Sequence, residues 1–334
     1  MTKSTRWIIF PIICLVCVAL AGVVAWRILQ NRTPLAANLH SVVLVSPTEG
    51  WAVGDSAGSN GSLLMHYDHN TWTRIATPAG MQENDSLIEI ALDSPNDGWV
   101  IGTNPDQVVN GRDTAGILLH LTNGVWQVTD RNLLSIPRTI ALDTTKDGWL
   151  AGDDGLVMHY DGTTWHQMLL PKALKSMSFM ALSIVGPNDI WFADTFGNIA
   201  HFDGQQWTLT QFSYHDATVA AFAMTSDQSG WALINQIGSS QTVALHNVAG
   251  EWLPVQLPKN KGITGLALSS DSTGWAVGSE GAILRLQNGT WSVQNSATSN
   301  ILNAVASFDN MAVAVGQNGA IVSYHNGSWS SYSW

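Results

Sequence analysis

Two marks at one register in seven repeats, the closing one Trp in all seven and the opening one Trp in six, a body poor in helix-forming surface residues and a tight-turn signal in the repeat predict an all-β chain. The expected fold is a seven-bladed β-propeller of four-stranded antiparallel blades, preceded by one N-terminal transmembrane helix. The first mark closes each unit: Trp72, Trp126, Trp165, Trp207, Trp252, Trp291 and Trp329. Six residues before them stand His66, His120, His159, His201, His246, Arg285 and Ser323. The second mark opens each unit at Trp51, Trp99, Trp149, Trp191, Trp231 and Trp275, with Val313 in that place in the seventh. "GWLAGDDGLVMHYDGTTW" (148–165) and "GWAVGSEGAILRLQNGTW" (274–291) show the unit at its most regular. A period of about 42 residues across 39–334 belongs to an array of one supersecondary unit.

Each unit divides into four strands. A β-rich run such as "LIEIALD" or "ITGLALS" comes first, then a polar turn such as "SPNDG". The GWAVG-like strand follows, then a Gly-x-x-Gly turn, then a strand such as "LVMHY". An Asn-Gly or Asp-Gly pair makes a tight hairpin, because both residues tolerate positive φ, and the last strand starts at the closing Trp. Four strands at this period make a propeller blade. Blades are covered on both faces, which suits the continuous apolar runs "IEIAL" and "AAFAM". Eight residues before the opening Trp stand Ala91, Ala141, Ser183, Ala223 and Ala267, small enough for first strands to crowd an axis. The paired Trp then act as wedges between splayed blades, each contributing roughly 1.5–3 kcal/mol by burial. No stretch of the body keeps a helical period, so no helix is expected there.

Composition agrees. The chain has 334 residues with 16 Trp, 30 Gly and only 12% charged residues. Its formal charge is −11, from 14 basic and 25 acidic residues. Lys3, Arg6, Arg27 and Arg32 flank the N-terminal segment, so the rest carries 10 basic against 25 acidic residues, or −15. A body this acidic has no footprint for nucleic acid, whose phosphates demand a basic face.

The run "WIIFPIICLVCVALAGVVAW" (7–26) holds twenty residues without a charge. At 1.5 Å per residue it matches a hydrocarbon core of about 30 Å, and Trp at both ends suits the interfaces. The expected organisation is a short cytoplasmic N-terminus (1–6), a membrane anchor (7–26), a linker (27–38) and the propeller (39–334) on the extracytoplasmic side. A cleaved signal peptide is the competing reading, since "ALA" before Gly22 resembles a signal-peptidase site, and it makes the protein secreted. Cys14 and Cys17 both lie inside the run, so no disulfide staples the body.

The GWAVG-x-x-G-x-I-L pattern followed by an NG-T-W hairpin resembles the propeller family of photosystem II stability and assembly factors. It is also similar to the BNR, or Asp-box, repeats of sialidases. The first resemblance implies a seven-bladed propeller that assists membrane-protein assembly without catalysis. Members of that family carry a basic patch, whereas this body holds ten Lys plus Arg and no cluster. The Asp-box is shortened to forms such as "HYDGTTW", with His in the Ser position.

Several residue sets invite a site. Five histidines share one register, but they fall on the third strand of different blades, too far apart for a zinc ion that needs ligands near 2 Å from one centre. They are expected to bridge hairpin polar groups beside the Trp. A sialidase-like hydrolase or carbohydrate-binding propeller needs an arginine cluster, a Tyr nucleophile and an acid. Of the five body arginines, Arg74 and Arg285 fall on outer strands, and only Arg112, Arg131 and Arg138 approach the loop face. Acidic turn residues Asp55, Asp153, Asp154 and Glu280 share that face and read as solubilising turns rather than a calcium site. No metal, cofactor or catalytic residue is expected.

The insertions are the better guide. "GDSAGSNGS" (54–62), "GTNPDQVVNGRDTAG" (102–116) and "NQIGSSQT" (235–242) all lengthen the turn between second and third strands. Long loops on a rigid scaffold are where binding resides. The candidate binding residues are Asp106, Asn110, Arg112, Asp113, Asn60 and Gln236. The expected partner is another protein, such as a membrane protein or complex, and the expected role is a non-enzymatic binding or assembly module.

Overall fold

The structure, a computed structural model, describes residues 37–56, 61–106, 115–211, 217–236, 238, 241–259 and 262–334. The expected span 7–26 lies outside the described residues. Among those described, no helix is long and apolar enough to cross a membrane.

Twenty-eight strands form seven four-stranded sheets, each in simple sequence order. Blade one shows the pattern: β1 (Ala37–Ser46), β2 (Glu49–Ser56), β3 (Ser62–Asp68) and β4 (Thr71–Arg74), all antiparallel. The others span 86–133, 137–167, 179–211, 217–255, 263–293 and 302–331. The first strand of each blade lies against that of the next, and blade seven lies against β1, which closes the ring. The closing seam joins the two ends of the propeller directly. Asn303 donates from Nδ2 to the Leu39 carbonyl at 2.7 Å, and the Gly319 amide donates to the Ala37 carbonyl at 2.8 Å.

The repeat register is reproduced in the pairing. Each opening residue faces its third-strand mate: Trp51 His66, Trp99 His120, Trp149 His159, Trp191 His201, Trp231 His246, Trp275 Arg285 and Val313 Ser323. Five hairpins turn on two consecutive positive-φ residues, including Asn123-Gly124, Asn288-Gly289 and Asn326-Gly327. The Asp-Gly hairpins of blades three and four work differently from expectation. Only Gly162 and Gly204 take positive φ there. Asp161 accepts from the amides of Thr163 and Thr164 at 2.8 and 2.9 Å, and Asp203 from those of Gln205 and Gln206 at 2.9 and 2.6 Å. Those donors, led by the Thr163 hydroxyl for Asp161 and the Gln206 amide for Asp203, hold both carboxyls below the usual range. Three single turns of 3-10 helix (Asp153–Gly155, Lys172–Leu174, Ser279–Gly281) are the helical elements among the described residues.

The core is divided among the seams. Seven apolar clusters each draw residues from two neighbouring blades. In four seams the opening Trp meets the closing Trp of the next blade edge-on: Trp51 with Trp126, Trp99 with Trp165, Trp231 with Trp291 and Trp275 with Trp329, at 5.1–5.5 Å between centroids. Edge-to-face geometry aligns the positive ring edge with the negative face. In the seam from blade three to four, Trp149 meets Phe202 and Phe192 instead. The wedges are not equally deep, since Trp165, Trp191, Trp207 and Trp252 keep part of the ring in water. Trp231→Ala, at a site 1% exposed, is therefore expected to cost about 3–5 kcal/mol, and Trp165→Ala distinctly less. Urea unfolding of both variants measures the difference.

Candidate functional site

The opening Trp, its histidine and a carboxylate form a spoke in five blades. Each imidazole packs against its Trp with ring centroids 3.9–4.4 Å apart. Its Nε2 meets a carboxylate: Glu49 for His66, Asp97 for His120, Asp147 for His159, Asp189 for His201 and Asp271 for His246. Four of these acids stand two residues before the opening Trp, next to the turn that links first and second strands. Blade five has Ser229 there, and Asp271 arrives from the corresponding turn of blade six. Blades six and seven, with Thr273 and Met311 in the acid position, have Arg285 and Ser323 rather than histidine at the stacking register. Arg285 instead sits over Trp275 at 5.1 Å and donates to the Tyr324 hydroxyl at 2.8 Å. The histidines thus belong to separate stacks. Among the described residues no cluster of three metal-ligating side chains occurs.

The first strands carry a feature that the sequence reading missed. All seven have a β-bulge at one register, leaving His40, Ile88, Arg138, Met180, Ala220, Thr264 and Asn303 unpaired. A bulge re-aims the extra side chain, and all seven line the axial channel, a cavity of about 520 Å³. The bulge lies near the start of each first strand, so this ring is the channel mouth on the loop face. The glycine that ends GWAVG has a matching cause in five blades. A Cβ on Gly54, Gly102, Gly152, Gly278 or Gly316 would lie 1.9–2.4 Å from a carbonyl oxygen at the start of the first strand or of the residue just before it.

The polar residues of the mouth are tied to protein groups. His40 contacts the Leu87 carbonyl through Nδ1 at 2.8 Å and Asp55 through Nε2 at 3.3 Å. Burial raises the Asp55 carboxyl, and His40 opposes that rise. Arg138 donates to Asp153 from Nε and a terminal nitrogen, the latter at 2.7 Å. Thr264 donates to the Leu302 carbonyl at 2.6 Å. Arg131 clamps fully buried Asp85 with two nitrogens at 2.8 and 2.9 Å. Arg131 and Arg138 are each neutralised by a separate acid, so they form no shared carboxylate-binding cluster.

One level deeper the channel wall holds Ser41, Glu89, Ala181, Ala221, Gly265 and Ala304, with buried Thr139 at the same register, all paired with equivalent second-strand positions. First strands present an unpaired edge, and side chains of the preceding blade satisfy part of it. The Ile90 amide donates to Ser41, and the Ile140 amide donates to the Glu89 carboxyl at 2.7 Å. Glu89 is the one charged group in this layer. Burial pushes its pKa up to about 7, against the pull of the Ile140 amide and Thr139 hydroxyl.

The strand ends that flank the lengthened turns lie on the channel-mouth face, since the second strands ending at Ser56, Asn104 and Gln236 pair with the starts of first strands. Asp106 accepts from Asn84 Nδ2 at 2.6 Å, and its amide donates to Asn104 at 2.9 Å. Gln236 is exposed and pairs with Ala217. Asn60, Asn110, Arg112 and Asp113 lie outside the described residues.

No family model and no curated protein sequence matches the chain. Solved structures do. YCF48 bound to D1 peptide superposes with a TM-score of 0.67 at 18% identity, covering 87% of this chain and 94% of that one. YCF48 from Cyanidioschyzon merolae gives 0.67 at 16%, covering 87% and 97%. Virginiamycin B lyase from Staphylococcus aureus gives 0.63 at 14%, covering 88% and 95%. The expected resemblance to the assembly-factor propellers therefore holds for the fold.

Glu89 gives the site a pH signature. Its folded pKa near 7 exceeds the ordinary value of 4.5, so the folded state holds the proton more tightly. Its contribution to stability is then fully present below about pH 4.5, is lost as pH rises to about 7, and amounts to at most about 3 kcal/mol. Glu89→Gln is expected to remove that slope. An unchanged stability profile from pH 4.5 to 7.5, read by thermal melting, contradicts the assignment.

Proposed function

We propose that the protein is a membrane-anchored propeller, held outside the cytoplasmic membrane, that binds another protein and acts as an assembly module without catalysis. The division of labour between the two faces carries this reading. The seams and spokes use the blade Trp, the five register histidines and the five carboxylates that meet them in structure, while the opposite face bears the channel mouth and the strand ends from which every lengthened turn leaves. Rigid scaffolds commonly place binding on such loops. YCF48, solved with a D1 peptide, offers a precedent for a propeller of this shape taking a protein segment. The absence of an arginine cluster at the mouth, among the described residues, weighs against the sialidase-like alternative, which needs several cations on one carboxylate.

The anchor rests on the apolar run 7–26 and its flanking Trp. The full chain is expected to sediment with membranes and resist carbonate extraction; a soluble protein beginning at Gly22 contradicts the anchor. Affinity capture from solubilised membranes is expected to yield one stoichiometric protein partner. Shortening 103–115 to a four-residue turn should reduce its recovery without lowering Tm. Capture of no partner by the full chain contradicts the binding role.

A further inference from the structure

The two largest apolar exposures among the described residues belong to the connection from blade three to blade four and to blade four itself. Leu169, 94% exposed, sits on the connection between them, and Phe196, 70% exposed, tips the second turn of blade four. Met180, the bulged residue of blade four, is 41% exposed at the channel mouth. Phe179 pairs with Asp194, which sets Met180 beside the turn that carries Phe196. Lys172 and Lys175 are exposed on the same connection, and neither joins an ion pair among the described residues. Lys175 and Leu169 line one hollow of about 500 Å³ with Asp154 on its wall.

These tips are held in place. On the connection Leu170, Leu174 and Met177 are buried in the seam, and the Met177 carbonyl accepts from the Gly155 amide at 2.7 Å. Buried Asp194 fixes the other turn, accepting from the amides of Phe196 and Asn198 at 2.8 Å each. The core gains nothing from Leu169 or Phe196, yet both are displayed on ordered backbone. Ordered apolar residues in water mark contact surfaces, and preorganisation lowers the entropy lost on binding.

We infer that this sector, Leu169, Phe196 and Met180 with Lys172 and Lys175, docks an extended partner segment carrying large apolar side chains and at least one carboxylate. The assignment rests on the binding-module reading above and names the surface and chemistry of the partner. Charge selects the occupant. Two lysines without an ion pair among the described residues stand on a body with 10 basic against 25 acidic residues, so an acidic segment is drawn here and repelled elsewhere. The same surplus repels an anionic lipid surface, which places a protein segment ahead of a bilayer.

The test is panning of a random dodecapeptide library on the full chain in neutral detergent, followed by anisotropy titrations. Selected peptides are expected to combine Leu, Ile or Phe with Asp or Glu. They should bind at least tenfold more weakly to the L169S/F196S variant and to the K172E/K175E variant, with Tm unchanged. Basic or purely polar peptides, no enrichment at all, or equal binding to both variants overturns the proposal. Hydrogen-exchange protection of 168–178 and 194–198 in phosphatidylglycerol nanodiscs without peptide assigns the sector to lipid and overturns it too. If L169S/F196S still captures the wild-type partner from solubilised membranes, the surface is wrong and the binding role stands; if wild type captures none, the binding role itself falls.

Discussion

Burial of the opening residue of one blade against the next blade is the constraint on which this ring depends, and in four of the seven seams it takes the form of edge-to-face contact with that blade's closing Trp. A single four-stranded blade has two apolar faces and cannot bury either alone. Each seam solves that for two blades at once, and the seven clusters lie one to a seam. The closing seam is no exception: Trp72 and Tyr67 of blade one share a cluster with Val313 and Met311 of blade seven. Val313 stands where the other blades have Trp, and the smaller side chain accompanies the seam where the first and last blades of the propeller meet.

Because the seams carry the ring, the two ends of the barrel-like stack are released for different uses. At the hairpin end, carboxylates orient imidazoles that cover the Trp rings. Each stack is a local device, and its members vary together. The blades that lose the acid also lose the histidine, except where Asp271 reaches across from the neighbouring blade. At the other end the bulges turn seven side chains into the channel mouth, and carbonyls at the entry to five first strands press close enough to demand glycine behind them. Glu89 follows from the same geometry, since it caps an amide on an edge that has no strand partner.

The sequence reading captured what repeats and missed what depends on neighbours. Trp spacing gave blade number and register, and apolar runs on first strands foretold blades covered on both faces. The spokes were legible too, in the acid of "EGW", "DGW" and "DIW" two residues before the opening Trp, but histidine was assigned to hairpin groups generally. The bulges left only the GWAVG glycine as a trace, and its cause appears once the first strand is seen pressing on it. Asp161 and Asp203 were expected to supply positive φ and instead accept amides. Of the six proposed binding residues, four lie outside the described residues, while Asp106 and Gln236 sit on the expected face. Leu169 and Phe196 gave no periodic signal, because a single apolar residue in a loop looks like any other until its burial is known.

The direct measurement is a double-mutant cycle across one seam, with Trp231→Ala and Trp291→Ala singly and together. The rings meet at 5.5 Å and 89°, with Trp231 in blade five and Trp291 in blade six. If inter-blade aromatic contact holds the ring, urea unfolding gives a coupling energy of about 0.5–1.5 kcal/mol beyond the separate losses. Additive losses, agreeing within about 0.3 kcal/mol, contradict it and leave each blade stabilised on its own.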